Sequence, residues 1–396
     1  MCSLDRGLLS APFSSKEQTP ALGRTIRDRL FEERRTHIPE LDGVRALAAA
    51  LVYFVHFAAA LLMFPGDDLG VVILTALQAI GFLGVEVFFV LSGFLVYGIV
   101  ASRVQLTREF AVRRVQRVMP MFLVILTIYV AMGVLSPSLA KISLPRDWML
   151  LIANVLLLPG VYQISTIVTV AWSLSFEAHF YGFLALANRL KLPERSFRFR
   201  LSLIGAFQIV TIILSIKWPW LLDFSFFAIG MLTYELRMLM VKTNKHTGVS
   251  SQTAFWLLCL GVIARGLIST EILSALPRLS IRPIFWSIIL VAVPLALLIV
   301  GTADEQRARN VLAHPISRFL GTTSYSFYLL HGPTIHAIFL LAEALGFKER
   351  PSWFITLLLS VPTYAIAVFV SWVGYELIER PLATVGLKKY RSAKIA

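Results

Sequence analysis

The chain has 396 residues, of which 57% are hydrophobic and only 15% are charged, and its mean hydropathy is +0.75. A soluble domain of this length would carry roughly 25% charged residues, so the composition excludes an ordinary soluble protein and indicates an all-α, polytopic membrane protein. The formal net charge of +14 is typical of cytoplasmic loops that face anionic lipid, and it does not indicate nucleic-acid binding. Cys2 and Cys259 predict neither a disulfide framework nor a metal site.

Apolar segments need about 20 residues to cross a bilayer. On that basis we expect about ten transmembrane helices in one bundle. They lie at approximately 44–64, 72–101, 118–136, 170–189, 201–217, 222–241, 252–270, 284–301, 319–345 and 353–379. A shorter apolar run at 148–158 is stopped by Pro159-Gly160 and is predicted to be interfacial or re-entrant.

The basic residues alternate from loop to loop. If the N-terminus lies inside, the predicted inner segments hold most of the 37 Lys and Arg, which is the positive-inside pattern. Both termini are therefore expected in the cytoplasm. We interpret residues 1–37 as a partly disordered tail, 38–382 as the membrane domain and 383–396 as a basic tail.

The first predicted span carries two ionisable residues, Arg45 and His56. Eleven steps of about 1.5 Å place them roughly 16 Å apart along the helix axis and on similar faces. Both side chains are costly inside a membrane unless they have a use. We interpret the pair as the two ends of an active site, with Arg45 near an anionic donor and His56 at the chemistry.

The second and third spans add a further group of polar residues. The second span carries one acid, Glu86, and its Ser92-Gly93 pair offers a small surface for close helix approach, which is also compatible with packing alone. Arg114 and Arg117 lie three residues apart and hence on one helix face, whereas Arg113 points elsewhere. These arginines are either membrane-surface anchors or a phosphate site, because guanidinium binds phosphate in a bidentate way.

Glu177 lies inside the fourth predicted span, where a carboxylate is hard to explain without a function. It could orient His56, act as an acid–base group or contact substrate. Trp172 and Tyr181 are interpreted as interface aromatics, and His179 is expected to face away from Glu177. Three ionisable residues near later span ends are expected to be solvated, namely Asp223, Glu235 and Arg237.

The ninth predicted span begins with Ser324 and Tyr325 and continues to His331, just before Pro333. A proline in mid-span frees a backbone carbonyl and permits a kink, often beside a cavity. His331 is therefore either a satisfied core histidine or a site residue. At the end of the last span, Glu376 and Glu379 share a face and are expected to pair with the arginines of the third span.

Six motifs occur in order across residues 38–382, namely PELDGVRALAA with its following histidine, GVEVFFVLSGFL, RRVQRVMP, WSLSFEAHFY, SYSFYLLH and ERP. In this order they resemble the integral-membrane acyltransferase family 3, which modifies sugars and other small hydroxylated molecules. The resemblance implies acyl-CoA, most simply acetyl-CoA, as a cytoplasmic co-substrate with no bound cofactor. It also implies a carbohydrate acceptor and a bacterial inner-membrane location.

Carried over by position, the family's Arg-x10-His corresponds to Arg45 and His56, its Arg-x-x-Arg to Arg114 and Arg117, and its WSLSxE glutamate to Glu177. The chain departs from the family twice. It has Glu86 where the family often has aspartate, and Ala178 where the family often has a second acid. A function that needs both acids would be in doubt here.

The resemblance suggests a mechanism in which the three arginines bind the phosphates of CoA and His56 deprotonates the acceptor hydroxyl. Glu177 would then orient the imidazole or stabilise its protonated form. Ser92, Ser324 and Tyr325 are alternative donors to the oxyanion, and an acyl-histidine intermediate is an alternative to direct transfer. Glu86 and His331 are further candidates for the pocket wall.

The competing class is a proton-coupled transporter or flippase for a glycan or a lipid-linked sugar. Ten spans with buried arginine, histidine and glutamate also suit such a transporter. The ordered motifs favour the acyltransferase. The sequence leaves the acceptor, the acyl group and the oligomeric state open.

Overall fold

A computed structural model describes residues 39–65, 68–135, 146–243, 251–269, 287–301, 312–347 and 352–382. Within these ranges all regular structure is helical and there is no strand, which confirms the all-α class. The two predicted tails, 1–37 and 383–396, lie outside the described residues, and their assignment stays a prediction.

The described ranges form helices joined mostly by short turns. The α-helices are α1 (Pro39–Leu62), α2 (Asp68–Gly81), α3 (Leu83–Ser102), α4 (Thr107–Leu135), α5 (Trp148–Val155), α6 (Pro159–Tyr162), α7 (Ala171–Asn188), α8 (Phe197–Lys217), α9 (Phe224–Thr243), α10 (Ser251–Ser269), α11 (Val293–Gly301), α12 (Pro315–Thr322), α13 (Ser324–Ala344) and α14 (Trp353–Gly374). Two 3₁₀ helices (Leu192–Glu194 and Pro219–Asp223) and two π-helical segments (Ile288–Ala292 and Tyr375–Glu379) complete the described helices.

Six helical segments in the described ranges are long and apolar enough to cross a membrane, and this confirms a polytopic membrane protein. They are Pro39–Leu62, Leu69–Ser102, Thr107–Val134, Phe197–Lys217, Pro219–Thr243 and Phe354–Leu382. Helices occupy all ten predicted ranges, but α7 and α13, which carry many of the polar candidates, are not among the six. The count of about ten therefore stays a prediction.

The apolar run at 148–158 contains a short helix, and its interfacial or re-entrant position stays a prediction. Helix α5 has only eight residues, and the chain turns at Leu157, whose φ is 53°, before Pro159 starts the short helix α6. A segment of this length cannot cross a bilayer as a helix, because about 20 residues are needed.

Helices α3 and α9 cross at a contact between two glycines. A Cβ atom on Gly93 would lie 2.3 Å from the carbonyl oxygen of Phe227, and one on Gly230 would lie 2.1 Å from that of Val90. Small residues at both positions allow the two backbones to approach closely. In apolar lipid, such close packing and polar contacts are the main interactions that hold helices together. The expectation of a close approach at Ser92-Gly93 is confirmed, and Ser92 is thereby fixed in a tightly packed helix.

The same crossing buries Glu235, so the expectation that this residue is solvated was wrong. Its side chain is 0% exposed, and Oε1 accepts hydrogen bonds from the Tyr97 hydroxyl (2.6 Å) and from Arg200 Nε (2.7 Å). Arg237 is also only partly exposed and donates to the carbonyl of Ile299 at 2.6 Å. Nearness to a span end did not predict solvation because α3 and α8 cover this part of α9.

Helix α1 packs against α2, α3, α12 and α13. Its start is in very close contact with the segment before α13, since a Cβ on Gly43 would lie 2.3 Å from the Leu312 carbonyl oxygen and one on Gly321 would lie 2.1 Å from that of Asp42. These contacts place α1, which carries Arg45 and His56, directly beside α13, which carries His331.

Replacing Gly93 with alanine should destabilise the protein, because the new methyl group would overlap the backbone of α9. Overpacking of this kind costs about 1–3 kcal/mol, and we expect a clear drop in the melting temperature of the detergent-solubilised protein, followed by size-exclusion chromatography after heating. Gly205→Ala is the matched control. No atom lies within 4 Å of its added Cβ, and alanine is about 1 kcal/mol better than glycine inside a helix. Equal melting temperatures of the two variants would contradict the assigned crossing.

Candidate active site

Glu177 on α7 is the centre of a polar cluster that joins three helices. Its Oε1 accepts a hydrogen bond from Ser92 Oγ of α3 at 2.6 Å and another from the hydroxyl of Tyr181. The guanidinium of Arg114 on α4 lies 5.8 Å from the centre of the Tyr181 ring. A carboxylate inside a membrane domain requires such partners, and here they come from α3, α4 and α7 itself.

Tyr181 belongs to this cluster, although its sequence context indicated an aromatic residue of the membrane interface. Its hydroxyl bonds to Glu177, four residues earlier on the same helix. Residues four apart share a helix face, so the spacing already contained the signal. Trp172 lines a cavity at the start of α7. His179 binds the Ser175 carbonyl through Nδ1 at 2.7 Å.

The arginines of α4 separate as the sequence predicts. Arg113 forms an ion pair with Glu109, whereas Arg114 and Arg117 turn towards α7. Arg117 is exposed, and Tyr181 and Glu177 lie within electrostatic range of it. Among the described residues its guanidinium has no hydrogen-bond or ion-pair partner. A guanidinium so placed can take up an anion in a bidentate way.

Helix α13 and the π-helical segment Tyr375–Glu379 close the same cluster. Tyr325 donates a hydrogen bond to the Val118 carbonyl of α4 at 2.6 Å, and Ser326 donates to Glu379 Oε2 at 2.6 Å. Glu379 lies within electrostatic range of Arg117, but among the described residues the two side chains form no ion pair, so the expected pairing is not formed. Glu376 differs from that expectation, because it pairs with Arg380 on its own helix at 2.8 Å.

Arg45 lies at the edge of this cluster. Its Nη1 is 3.3 Å from Oδ1 of Asp42, which is 1% exposed. Arg117 and Tyr181 lie within electrostatic range of Arg45. The structure therefore brings together the arginines of α1 and α4, which are more than 60 residues apart in the sequence, as the predicted donor site requires.

The second centre is a pair of histidines. The rings of His56 and His331 lie 4.9 Å apart between centroids, at 62°. His331 is 0% exposed, and its Nδ1 lies 2.8 Å from the Phe327 carbonyl. A carbonyl oxygen only accepts hydrogen bonds, so Nδ1 carries the proton. In the neutral ring Nε2 is then a lone pair, which is buried and has no partner among the described residues. His331 is not a satisfied core histidine.

Helix α13 connects the two centres. Tyr325 contacts α4 beside the arginines and His331 lies six residues later, which is about 9 Å along the axis. Between them, the Tyr328 hydroxyl lies 2.5 Å from Ser173 Oγ of α7. Ser173 is four residues before Glu177 and hence on the same face of α7. Orientation of His56 by Glu177 stays a prediction.

The remaining candidates lie around these centres. Glu86 is in the first turn of α3 and is partly buried, and Ser324 is 6% exposed at the start of α13. Ser92 and Tyr325 each donate their one hydroxyl proton, to Glu177 and to Val118 respectively. Neither has a proton left for an oxyanion in this arrangement. No group of three or more His, Cys, Asp or Glu within the described ranges could hold a metal ion.

Known proteins were compared with this chain. Residues 38–375 match the family model described as the acyltransferase domain, Acyl_transf_3. The acyltransferase MdmB of Streptomyces mycarofaciens is 29% identical, over 88% of this chain and 92% of its own length. The exopolysaccharide production protein ExoZ of Rhizobium meliloti is 27% identical, over 80% and 94%. A Staphylococcus aureus protein named provisionally as an O-acetyltransferase is 23% identical, over 90% of this chain but 59% of its own length. No solved structure matches.

The family match covers most of the chain and includes both centres of the site. It favours an acyltransferase over the transporter or flippase that buried arginine, histidine and glutamate would also suit. Two of the relatives are named for acyl transfer. The chain belongs to the integral-membrane acyltransferase family 3 and is an O-acyltransferase.

Proposed function

We propose that this protein moves an acyl group, most simply acetyl, from cytoplasmic acyl-CoA to a hydroxyl of a sugar or of a surface polysaccharide. The observation that carries the proposal is the guanidinium of Arg117, which has no partner in the part of the chain that the structure describes. It lies beside Glu177, on helices packed against those of the histidine pair. A CoA thioester requires both the arginine and the histidines, because its phosphates bind to cations and the transfer of its acyl group needs a base.

The arginines are assigned to the donor. Arg45, Arg114 and Arg117 bind phosphate oxygens of CoA, because guanidinium stays charged at any relevant pH and matches phosphate geometry. The positive-inside pattern supports a position of this end of the site at the cytoplasmic surface. From there the pantetheine arm reaches inward along α1 and α13, and CoA itself does not cross the membrane.

The histidines are assigned to the transfer. His56 takes the proton of the acceptor hydroxyl as its oxygen attacks the thioester carbonyl. The carbon–sulfur bond then breaks, and the CoA thiolate leaves and takes the proton from the imidazolium. The products are the sugar ester and CoA with a free thiol, so no other reactant is needed.

His331 and Glu177 are assigned supporting roles. The buried Nε2 lone pair of His331, on a ring 4.9 Å from that of His56, can accept a hydrogen bond that holds the His56 ring or the acceptor hydroxyl. The Glu177 carboxylate, held by Ser92 and Tyr181, supplies negative charge that favours the protonated imidazole formed during transfer.

The acceptor class is supported by one relative. The protein of Rhizobium meliloti, matched over 94% of its length, is named for exopolysaccharide production. A polysaccharide or its precursor would meet this enzyme at a bacterial inner membrane, which is the location that we assign to this chain, with both termini in the cytoplasm.

His56→Ala should abolish the release of CoA from acetyl-CoA. Loss of a general base lowers the rate by roughly 10²–10⁴-fold. The measurement is thiol release by the purified, detergent-solubilised full chain supplied with radiolabelled acetyl-CoA and a panel of methyl glycosides as hydroxyl acceptors, with the label followed at the same time. His336→Ala is the matched control, because His336 is an exposed histidine on α13 and should leave the rate unchanged. Full activity of a folded His56→Ala protein would remove the chemistry from α1.

Arg117→Gln should raise the KM for acetyl-CoA by about 10-fold or more, since a hydrogen bond to a charged group contributes about 1.5–3 kcal/mol. The effect on kcat should be smaller, because the contact is made before and during transfer alike. Initial rates of CoA release at varied acetyl-CoA give both constants.

Arg113→Gln is the control for this experiment. It removes the same charge at a neighbouring position of α4, where the arginine pairs with Glu109 instead. If both substitutions raise the KM equally, the effect reports the charge of the membrane surface, and the assignment of Arg117 to the donor phosphates is wrong.

A further inference from the structure

A cavity of about 340 Å³ lies at the start of α7, outside the two centres described above. Its volume is at the lower end of the range of small-ligand sites. Two tryptophans, Trp172 and Trp220, line it together with Phe176, and polar groups are supplied by Gln163, Ser165 and Asp223. It therefore combines flat aromatic surface with a few hydrogen-bonding groups.

The walls come from two segments that the sequence places on the outer side of the membrane. One runs from Pro159 into α7, and the other is the turn around Trp220 that joins α8 to α9. The structure joins these segments through the Trp220 indole N–H, which donates to the Val161 carbonyl at 3.0 Å. The cavity thus lies at the end of α7 that is predicted to face away from the donor arginines.

The wall formed by the first segment is held by its own hydrogen bonds. The Asn154 side chain, 1% exposed, donates to the Ser165 carbonyl (3.0 Å) and accepts from the Ile167 N–H (2.9 Å). Gly160 packs so closely on α7 that a Cβ would lie 1.9 Å from the Trp172 carbonyl oxygen. The cavity is therefore formed before a ligand arrives, which lowers the entropic cost of binding.

Asp223 has a carboxylate that the fold does not use. An aspartate just before a helix commonly caps it by accepting a backbone N–H, and Asp223 directly precedes α9. In the part of the chain that the structure describes, its side chain makes no capping bond and no ion pair, and it lines the cavity instead. It is available to accept hydrogen bonds from a ligand.

We propose that this cavity is a saccharide subsite that holds one part of the glycan acceptor. A sugar ring has an apolar C–H face that fits an aromatic side chain, and hydroxyls at its rim that donate well to a carboxylate. Since the lining contains no lysine or arginine, the subsite takes a neutral sugar and disfavours a uronic acid. The identity of the ligand rests on the proposed function, whereas the position of the subsite rests on the cavity.

Helix α7 relates this subsite to the chemistry. Trp172 and Phe176 are four residues apart and line the cavity, whereas Ser173 and Glu177 are also four apart and lie on the adjacent face. The cavity and the Glu177 cluster are separated by little more than the helix. The subsite therefore lies beside the helix that carries Glu177, and it contributes to acceptor affinity.

The test uses the full chain, purified in a zwitterionic detergent that contains no sugar, and a panel of methyl glycosides of glucose, galactose, mannose, N-acetylglucosamine and glucuronic acid. Saturation-transfer NMR measures binding without any acyl donor. We expect at least one neutral glycoside to bind more tightly than the glucuronide. Asp223→Asn, which is isosteric, should weaken that binding by about 10-fold, and Trp220→Ala should weaken it similarly.

Two matched controls should bind the glycoside like the wild type and release CoA from acetyl-CoA at its rate. Glu194→Gln removes an exposed acid elsewhere, and Trp218→Ala removes an exposed tryptophan from the same turn that does not line the cavity. Equal binding by Asp223→Asn and Glu194→Gln, or no binding of any glycoside, would overturn the subsite. Glycoside binding by a wild type that releases no CoA would instead overturn the proposed function and leave the subsite standing.

Discussion

The Glu177 carboxylate is the constraint on which the site depends. A charge in the interior of a membrane domain is stable only when neighbouring groups replace the water it has lost. Ser92 and Tyr181 do so directly, and Arg114 stacks on the Tyr181 ring. Because these groups belong to α3, α4 and α7, their contacts with the acid also fix the positions of the helices relative to one another. The glycine crossing of α3 on α9 then fixes Ser92 from the other side.

The histidine pair depends on the same framework through α13. That helix contacts α4 through Tyr325, α7 through Tyr328 and the π-helical segment after α14 through Ser326. With its start anchored at three points, its next turns carry His331 to a defined place beside His56. The buried lone pair of His331 costs free energy to leave unpaired, and such a cost at a defined position is characteristic of a site that is completed by its substrate.

Much of this could be predicted from the sequence, since helix geometry is local. The shared face of Arg114 and Arg117, the close contact at Gly93 and the end of the apolar run before Pro159 follow from spacing and residue size. Arg113 is four residues before Arg117 and hence also near that face, so its separate pairing with Glu109 does not follow from spacing. The errors concern contacts between helices. Glu235 was expected to be solvated, because nothing in the sequence pattern indicates that Tyr97 and Arg200 form hydrogen bonds with it. Tyr181 is an intermediate case. Its four-residue spacing to Glu177 is visible in the sequence, but aromatic residues of membrane proteins are usually explained as interface anchors.

Helix α7 presents Ser173 and Glu177 on one face and Trp172 and Phe176 on the next. The two sets share only a rigid backbone, so a change of shape on the cavity side leaves the contacts of the carboxylate intact. The residues of the proposed acceptor subsite can then change during evolution while the residues assigned to acyl transfer are retained. A single scaffold can in this way come to serve acceptors of very different structure.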